Sequence, residues 1–131
     1  MPRHNIHQVE MIRTGLDHPE CVNFGPDGRL YAGGFAGQLY VINPPKFELR
    51  QLVNTQGFVG GVAVDRNHNV YAGNATKHSV MRVTQKGEVS AYCERAPDGP
   101  LIMPNYGSFD ARATTTRIPE IIETKRATHA G

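Results

Sequence analysis

Glu20 and Asn105 are the residues whose type and spacing point most directly to chemistry. With Gly60 they form a series that steps by 40 and then 45 residues, each member standing immediately before a short apolar stretch that reads as a strand. A carboxylate and an amide carbonyl are hard oxygen donors, which suit Ca²⁺, Mg²⁺ or Mn²⁺. The plainer reading leaves Glu20, after His18-Pro19, in a solvated loop and gives Asn105, after Pro104, an Asx-type turn.

Other constellations offer less. The three serines, Ser79, Ser90 and Ser108, stand outside any Gly-x-Ser-x-Gly elbow, which argues against a serine nucleophile. His4 and His7 form a His-x-x-His in a polar terminus and read as solvated, while His18, His68 and His78 fall in predicted loops without a second histidine at ligand spacing. Cys21 and Cys93 lie 72 positions apart with no CxxC pair, and read as buried thiols. Gly33, Gly34 and Gly37 lack the spacing of a phosphate-binding loop and sit between two strands, so they read as a hairpin loop. Tyr31, Tyr40 and Tyr71 fall within strands, where packing is their expected role.

The elements that must position Glu20 and Asn105 come from an internal repeat. Cys21-Val22-Asn23-Phe24-Gly25-Pro26-Asp27-Gly28-Arg29-Leu30-Tyr31-Ala32-Gly33 aligns without a gap on Gly61-Val62-Ala63-Val64-Asp65-Arg66-Asn67-His68-Asn69-Val70-Tyr71-Ala72-Gly73, at an offset of 40 residues. Each copy reads as strand, polar turn, strand. A third strand follows in each, Gln38 to Ile42 and Ser79 to Val83, and then a more polar fourth, Leu49 to Val53 and Glu88 to Tyr92. A third copy begins at Asn105-Tyr106-Gly107-Ser108-Phe109-Asp110.

Four short strands recurring every 40 to 45 residues are the pattern of β-propeller blades. The physical reason is that a four-stranded twisted sheet has two faces to cover, and the next blade covers one of them. A small antiparallel sandwich with a coincidental repeat is the alternative. The expected fold is therefore all-β: an incomplete β-propeller of about two four-stranded blades plus the start of a third. The expected division is 1–17 as outer closing strand and lead-in, 18–57 as blade 1, 58–102 as blade 2, 103–112 as the start of blade 3 and 113–131 as a non-repeat tail. Gln8 to Ile12 alternates like the outer strand of a closing blade. In a propeller the first strand of each blade lines the channel, so Glu20, Gly60 and Asn105 are expected to converge on the axis.

Length then becomes informative. Even four blades at this period need about 160 residues, and the chain has 131. After Asp110-Ala111-Arg112 the repeat calls for a turn and a strand, but the sequence reads Ala113-Thr114-Thr115-Thr116-Arg117-Ile118-Pro119-Glu120. A frameshift or truncation near residue 112 is the expectation, with a helical tail from Pro119 to Arg126 as the structural alternative.

Charge narrows the partners. Fourteen Lys and Arg are interspersed with twelve Asp and Glu, for a net charge of +2, so no basic stripe marks nucleic acid or anionic lipid. No run of 18 apolar residues occurs and the amino terminus is polar, so a cytoplasmic chain without a membrane partner is expected.

His18-Pro19-Glu20-Cys21-Val22-Asn23-Phe24 with Asp27-Gly28-Arg29-Leu30-Tyr31, and Met103-Pro104-Asn105-Tyr106-Gly107 before Phe109-Asp110, resemble the amino-terminal part of the gluconolactonase, regucalcin (senescence marker protein) and strictosidine-synthase-like superfamily of six-bladed propellers. The resemblance covers about residues 5 to 112. It implies a divalent cation in the channel, Ca²⁺ first and Zn²⁺, Mn²⁺ or Mg²⁺ as alternatives. Glu20 would be the first-blade metal ligand, and Asn105 would contact metal or substrate. It also implies hydrolysis of a lactone or related ester by the full-length family. The family's later-blade asparagine and aspartate have no counterpart here, so cation binding is expected to be weak and this chain inactive as it stands. The alternative function is a non-catalytic propeller-repeat module that binds a partner. Two blades with open apolar faces and unpaired edges are further expected to self-associate.

Overall fold

Two turns of one geometry, 40 residues apart, set the architecture. The computed structural model describes residues 3–105, 107–109 and 124–125. In the first turn Gly25 N–H donates to Arg29 O at 2.7 Å and Gly28 N–H to Gly25 O at 3.0 Å; in the second Asp65 N–H donates to Asn69 O at 3.0 Å and His68 N–H to Asp65 O at 3.1 Å. Gly28 and His68 are the left-handed residues of these turns, at φ +85° and +64°. Glycine takes that conformation without steric cost, whereas His68 must be held there by its surroundings.

Each turn joins the first two strands of an antiparallel four-stranded sheet. The first sheet runs β1 (Val22–Phe24), β2 (Leu30–Gly33), β3 (Gln38–Asn43), β4 (Glu48–Asn54), and the second β5 (Val59–Val64), β6 (Val70–Asn74), β7 (Ser79–Val83), β8 (Val89–Cys93), both in sequence order. The third-to-fourth pairing shifts register at matching places, Leu39/Tyr40 and Val80/Met81. Short strands β9 (Arg95–Ala96), β10 (Gly99–Pro100) and β11 (Met103–Pro104) follow. Among the described residues there is no α-helix, and no helix long and apolar enough to cross a membrane.

The sheets stack face to face. Tyr31, Leu39 and Val41 of the first sheet join Val59, Val62, Val70, Ala72 and Val83 of the second in one buried cluster that also takes in Cys21. Strand alternation makes this work, since Tyr31, Leu39 and Val41 point one way while Leu30, Ala32, Tyr40 and Ile42 point the other. Gly33 lets the layers close, because a Cβ there would collide with the Val59 side chain. Gly73, at the equivalent position, faces the next segment instead, where a Cβ would meet Pro104 O at 2.8 Å and Asn105 O at 2.9 Å. Leu101 and Phe109 then cover Tyr71, Val80 and Tyr92. This is the stacking of a partial β-propeller, all-β as the repeat predicts.

Two expectations need correction. Gln8 to Ile12 is not a strand: a 3₁₀ turn covers Ile6–Gln8, its N-terminus capped by Asn5, and Val9 to Ile12 has no regular structure. Alternation alone cannot form a strand without an edge to pair with, and no described strand pairs with this segment. Val9 and Met11 are accordingly 73% and 77% exposed. The helical alternative for Pro119–Arg126 fails at Thr124–Lys125 (β12), which pairs antiparallel with Met103–Pro104. The rest of 113–131, and the expected break near Arg112, lie outside the described residues.

Candidate functional site

Antiparallel order brings the lead-in to β1, the β2–β3 loop, the β4–β5 connection and the β6–β7 loop to the same end of the stacked sheets. Backbone hydrogen bonds join them in series: Phe35 N–H donates to Asp17 O at 3.1 Å, Val59 N–H to Gly34 O at 3.1 Å, and Ala75 N–H to Phe58 O at 2.9 Å. Buried Asn74 adds a side-chain staple, donating to Thr55 O at 3.1 Å and accepting from Lys77 N–H at 2.9 Å. In the first sheet Gln38 plays the corresponding part, accepting from Ala36 N–H at 3.0 Å and donating to Asp17 Oδ2 at 3.1 Å. Hydrogen bonds from His18 and then Gln38 hold the Asp17 carboxyl below its ordinary value.

Glu20, Gly60 and Asn105 all stand at this end: Glu20 two residues before β1, Gly60 as the second residue of β5, and Asn105 directly after β11, with no third-copy first strand among the described residues. Asn105 lies directly against Gly60, where a Cβ would stand 2.9 Å from Asn105 Oδ1. Asn105 also lines a small void with Gly61, Ala63, Tyr71, Gly73 and Gly107. Glu20 is exposed and lines a different space, a groove of about 400 Å³ on the outer face of the first sheet that includes Arg13, Leu16, Leu30 and Ile42. The structure thus brings Gly60 and Asn105 together and leaves Glu20 on the far side of the first sheet's entry strand. Among the described residues no three His, Cys, Asp or Glu side chains gather as a metal cluster. Cys21, next to Glu20, is buried between the sheets, and that burial pushes its thiol pKa up.

The sequence reading passed over the aromatic side of this end. His18, Phe35 and Phe58 form a ladder with ring centroids 6.0 Å and 5.5 Å apart. The signal was present: Phe35 is a large apolar residue inside Gly33-Gly34-Phe35-Ala36-Gly37, a loop otherwise made of small residues.

Residues 5–42 match the family described as strictosidine synthase-like, N-terminal. The structure of selenomethionine-substituted virginiamycin B lyase from Staphylococcus aureus, a β-propeller, superposes with a TM-score of 0.52 over 64% of this chain, at 14% identity. This chain resembles the strictosidine-synthase-like propeller superfamily in its amino-terminal part. The family match spans the lead-in and β1 to β3, and therefore contains Glu20. The likeness to the lyase is one of fold, and the chain spans 29% of that protein's length. No curated protein matches the chain in sequence.

Proposed function

We propose that this chain carries the first- and third-copy channel residues of a divalent-cation-dependent propeller hydrolase acting on a small lactone or ester. The observation that supports this is that Glu20 and Asn105 stand at the same loop end of the stacked sheets, with Asn105 packed against Gly60 at the start of β5. The donor types suit a hard cation, a carboxylate from Glu20 and a carbonyl oxygen from Asn105, but Glu20 lines the outer groove while Asn105 lies against Gly60, so one ion could take both only if the exposed Glu20 side chain turned toward Asn105. When bound, the cation would polarise a substrate carbonyl. Asn105 would orient the substrate through its amide, and the loops joined by Gly34, Val59 and Ala75 would fix the height of that amide above the sheets. Two protein oxygens satisfy few of the six to eight positions that Ca²⁺ prefers, so binding should be weak and turnover by the 131-residue chain absent.

Calorimetric titration of Ca²⁺, Mn²⁺ and Zn²⁺ tests the reading. The wild-type protein should bind with a Kd on the order of 10⁻⁴ to 10⁻³ M, and Glu20→Ala and Asn105→Ala should each weaken this at least about tenfold, or about 1.4 kcal/mol. Equal binding by all three proteins would remove the cation site and leave the non-catalytic repeat module as the better account.

A further inference from the structure

We propose that the outer face of the first sheet, with the lead-in beside it, is a two-fold interface that takes the same face of a second copy of this chain. The inference does not rest on the cation reading.

Repeat geometry shows what this face is built to do. Val22, Leu30, Ala32 and Ile42 stand on it, with Val22 paired to Ala32 and Leu30 to Ile42 across the strands. Their counterparts in the second sheet are Val62, Val70, Ala72 and Val83, paired in the same way. That second quartet is buried against Tyr31, Leu39 and Val41 of the first sheet. The two faces thus carry the same lattice of apolar side chains, and only the second has a sheet stacked on it. The lead-in borders the first quartet but leaves a groove of about 400 Å³, lined also by Ile12, Arg13, Leu16 and Glu20. Val22 is accordingly 54% exposed, where Val62 is 1% exposed. Among the described residues nine large apolar side chains are exposed, and six of them, Ile6, Val9, Met11, Ile12, Val22 and Phe24, belong to the lead-in and β1. A concentration of that kind in one region marks a contact surface.

Charge and closure select the partner. Arg13 and Glu20 both line the groove, both are exposed, and neither has a salt-bridge partner among the described residues. In a two-fold arrangement Arg13 of each copy meets Glu20 of the other, so one patch carries both halves of two ion pairs. Head-to-tail stacking would instead need the far face of the second sheet, where Leu101 and Phe109 already pack on Tyr71 and Val80. The open face therefore fits itself, and association closes at two copies.

Sedimentation equilibrium of the full 131-residue chain, without added metal, reads the association directly. A reversible monomer–dimer equilibrium is expected, weakening as salt is raised. Arg13→Glu and Glu20→Arg should each raise the dissociation constant about tenfold or more, because each sets two like-charged contacts across the axis. An equimolar mixture of the two variants should form a heterodimer as tight as the wild-type dimer, since every charged contact across the axis then joins opposite signs again. A merely structural effect of either substitution would not be cured by adding the other variant. Val22→Asp, at an exposed position on an edge strand, should leave the circular dichroism spectrum unchanged and the chain monomeric. A wild-type chain that stays monomeric at every concentration overturns the proposal, and so does growth beyond dimers. A dimer that survives Val22→Asp, or a mixture as weak as its two components, overturns it equally.

Discussion

The two repeat copies share a backbone and differ in what their side chains do with it. Gly25 and Asp65 hold the same place in the two β-hairpin turns. In the first copy a Cβ at Gly25 would stand 2.9 Å from the Tyr31 ring, so the turn is packed against its tyrosine. In the second, the buried Asp65 carboxylate accepts from Asn67 N–H at 2.8 Å, Asn69 N–H at 2.9 Å, Asn69 Nδ2 at 3.1 Å and the Tyr71 hydroxyl at 3.1 Å. The equivalent hydroxyl of Tyr31 instead accepts from Gln85 Nε2 at 3.0 Å, a residue of the neighbouring sheet's β7–β8 turn. The first tyrosine binds sheet to sheet, whereas the second binds its sheet to its own turn. A repeat can keep strand positions and turn dihedrals while each copy finds its own way to satisfy buried polar atoms.

The largest expected effect separates the copies at their interface glycines. Gly33→Ala inserts a methyl into Val59, a fully buried residue with no room to withdraw, and should cost about 3 kcal/mol or more. Gly73→Ala meets the carbonyls of Pro104 and Asn105, in a short segment that can shift, and should cost about 1 to 2 kcal/mol. Urea unfolding midpoints measure both. Equal losses would mean that residues 101–109 are as firmly seated on the second sheet as the second sheet is on the first.

A smaller effect tests the turns. Asp65→Ala strands four donors, two of them on backbone, and should cost about 2 to 3 kcal/mol. Asp27 sits in the other turn and bonds Arg29 Nε at 2.6 Å near the surface, so Asp27→Ala should cost less than about 1 kcal/mol. Thermal melts of the two variants should therefore diverge clearly. A loss at Asp27 matching that at Asp65 would show that the first turn depends on its ion pair as heavily as the second depends on its buried carboxylate.

These contrasts also show what the sequence made legible. The thirteen-residue match carried the strand order, the turns and the stacking direction, because alternation and turn residues are local signals that survive without any partner. Gln8 to Ile12 misled because its alternation was real and its pairing edge was not. Glu20 and Asn105 were found through the repeat frame, which fixes position along a strand but not which face of a sheet a side chain shares with another. Their separation, with Glu20 on the outer groove and Asn105 against Gly60, follows from the stacking of the two sheets, which leaves the lead-in to β1 on one outer side and the segment after β11 on the other. Phe35 and Phe58 escaped notice because residues 23 positions apart come together only once the sheets have stacked.

The smallest expected effect is a pH dependence set by the second copy's tyrosine. Burial, with the Asp65 charge adding to it, pushes Tyr71 from 10.0 up to about 12. The fold therefore favours the neutral phenol. Below pH 10 this group adds no slope; above it the unfolded chain releases the proton first, and stability drains away progressively until about pH 12. Tyr71→Phe should cost about 1 kcal/mol at neutral pH through the lost hydrogen bond, yet reduce the alkaline fall in the urea midpoint. Part of the fall should remain, because burial also pushes Tyr92 up. Tyr31→Phe gives up the bond from Gln85 and should leave the Tyr71 contribution to that fall in place. An alkaline fall left unchanged by Tyr71→Phe would overturn the assignment, since it would mean that burial and the Asp65 charge do not hold the Tyr71 proton.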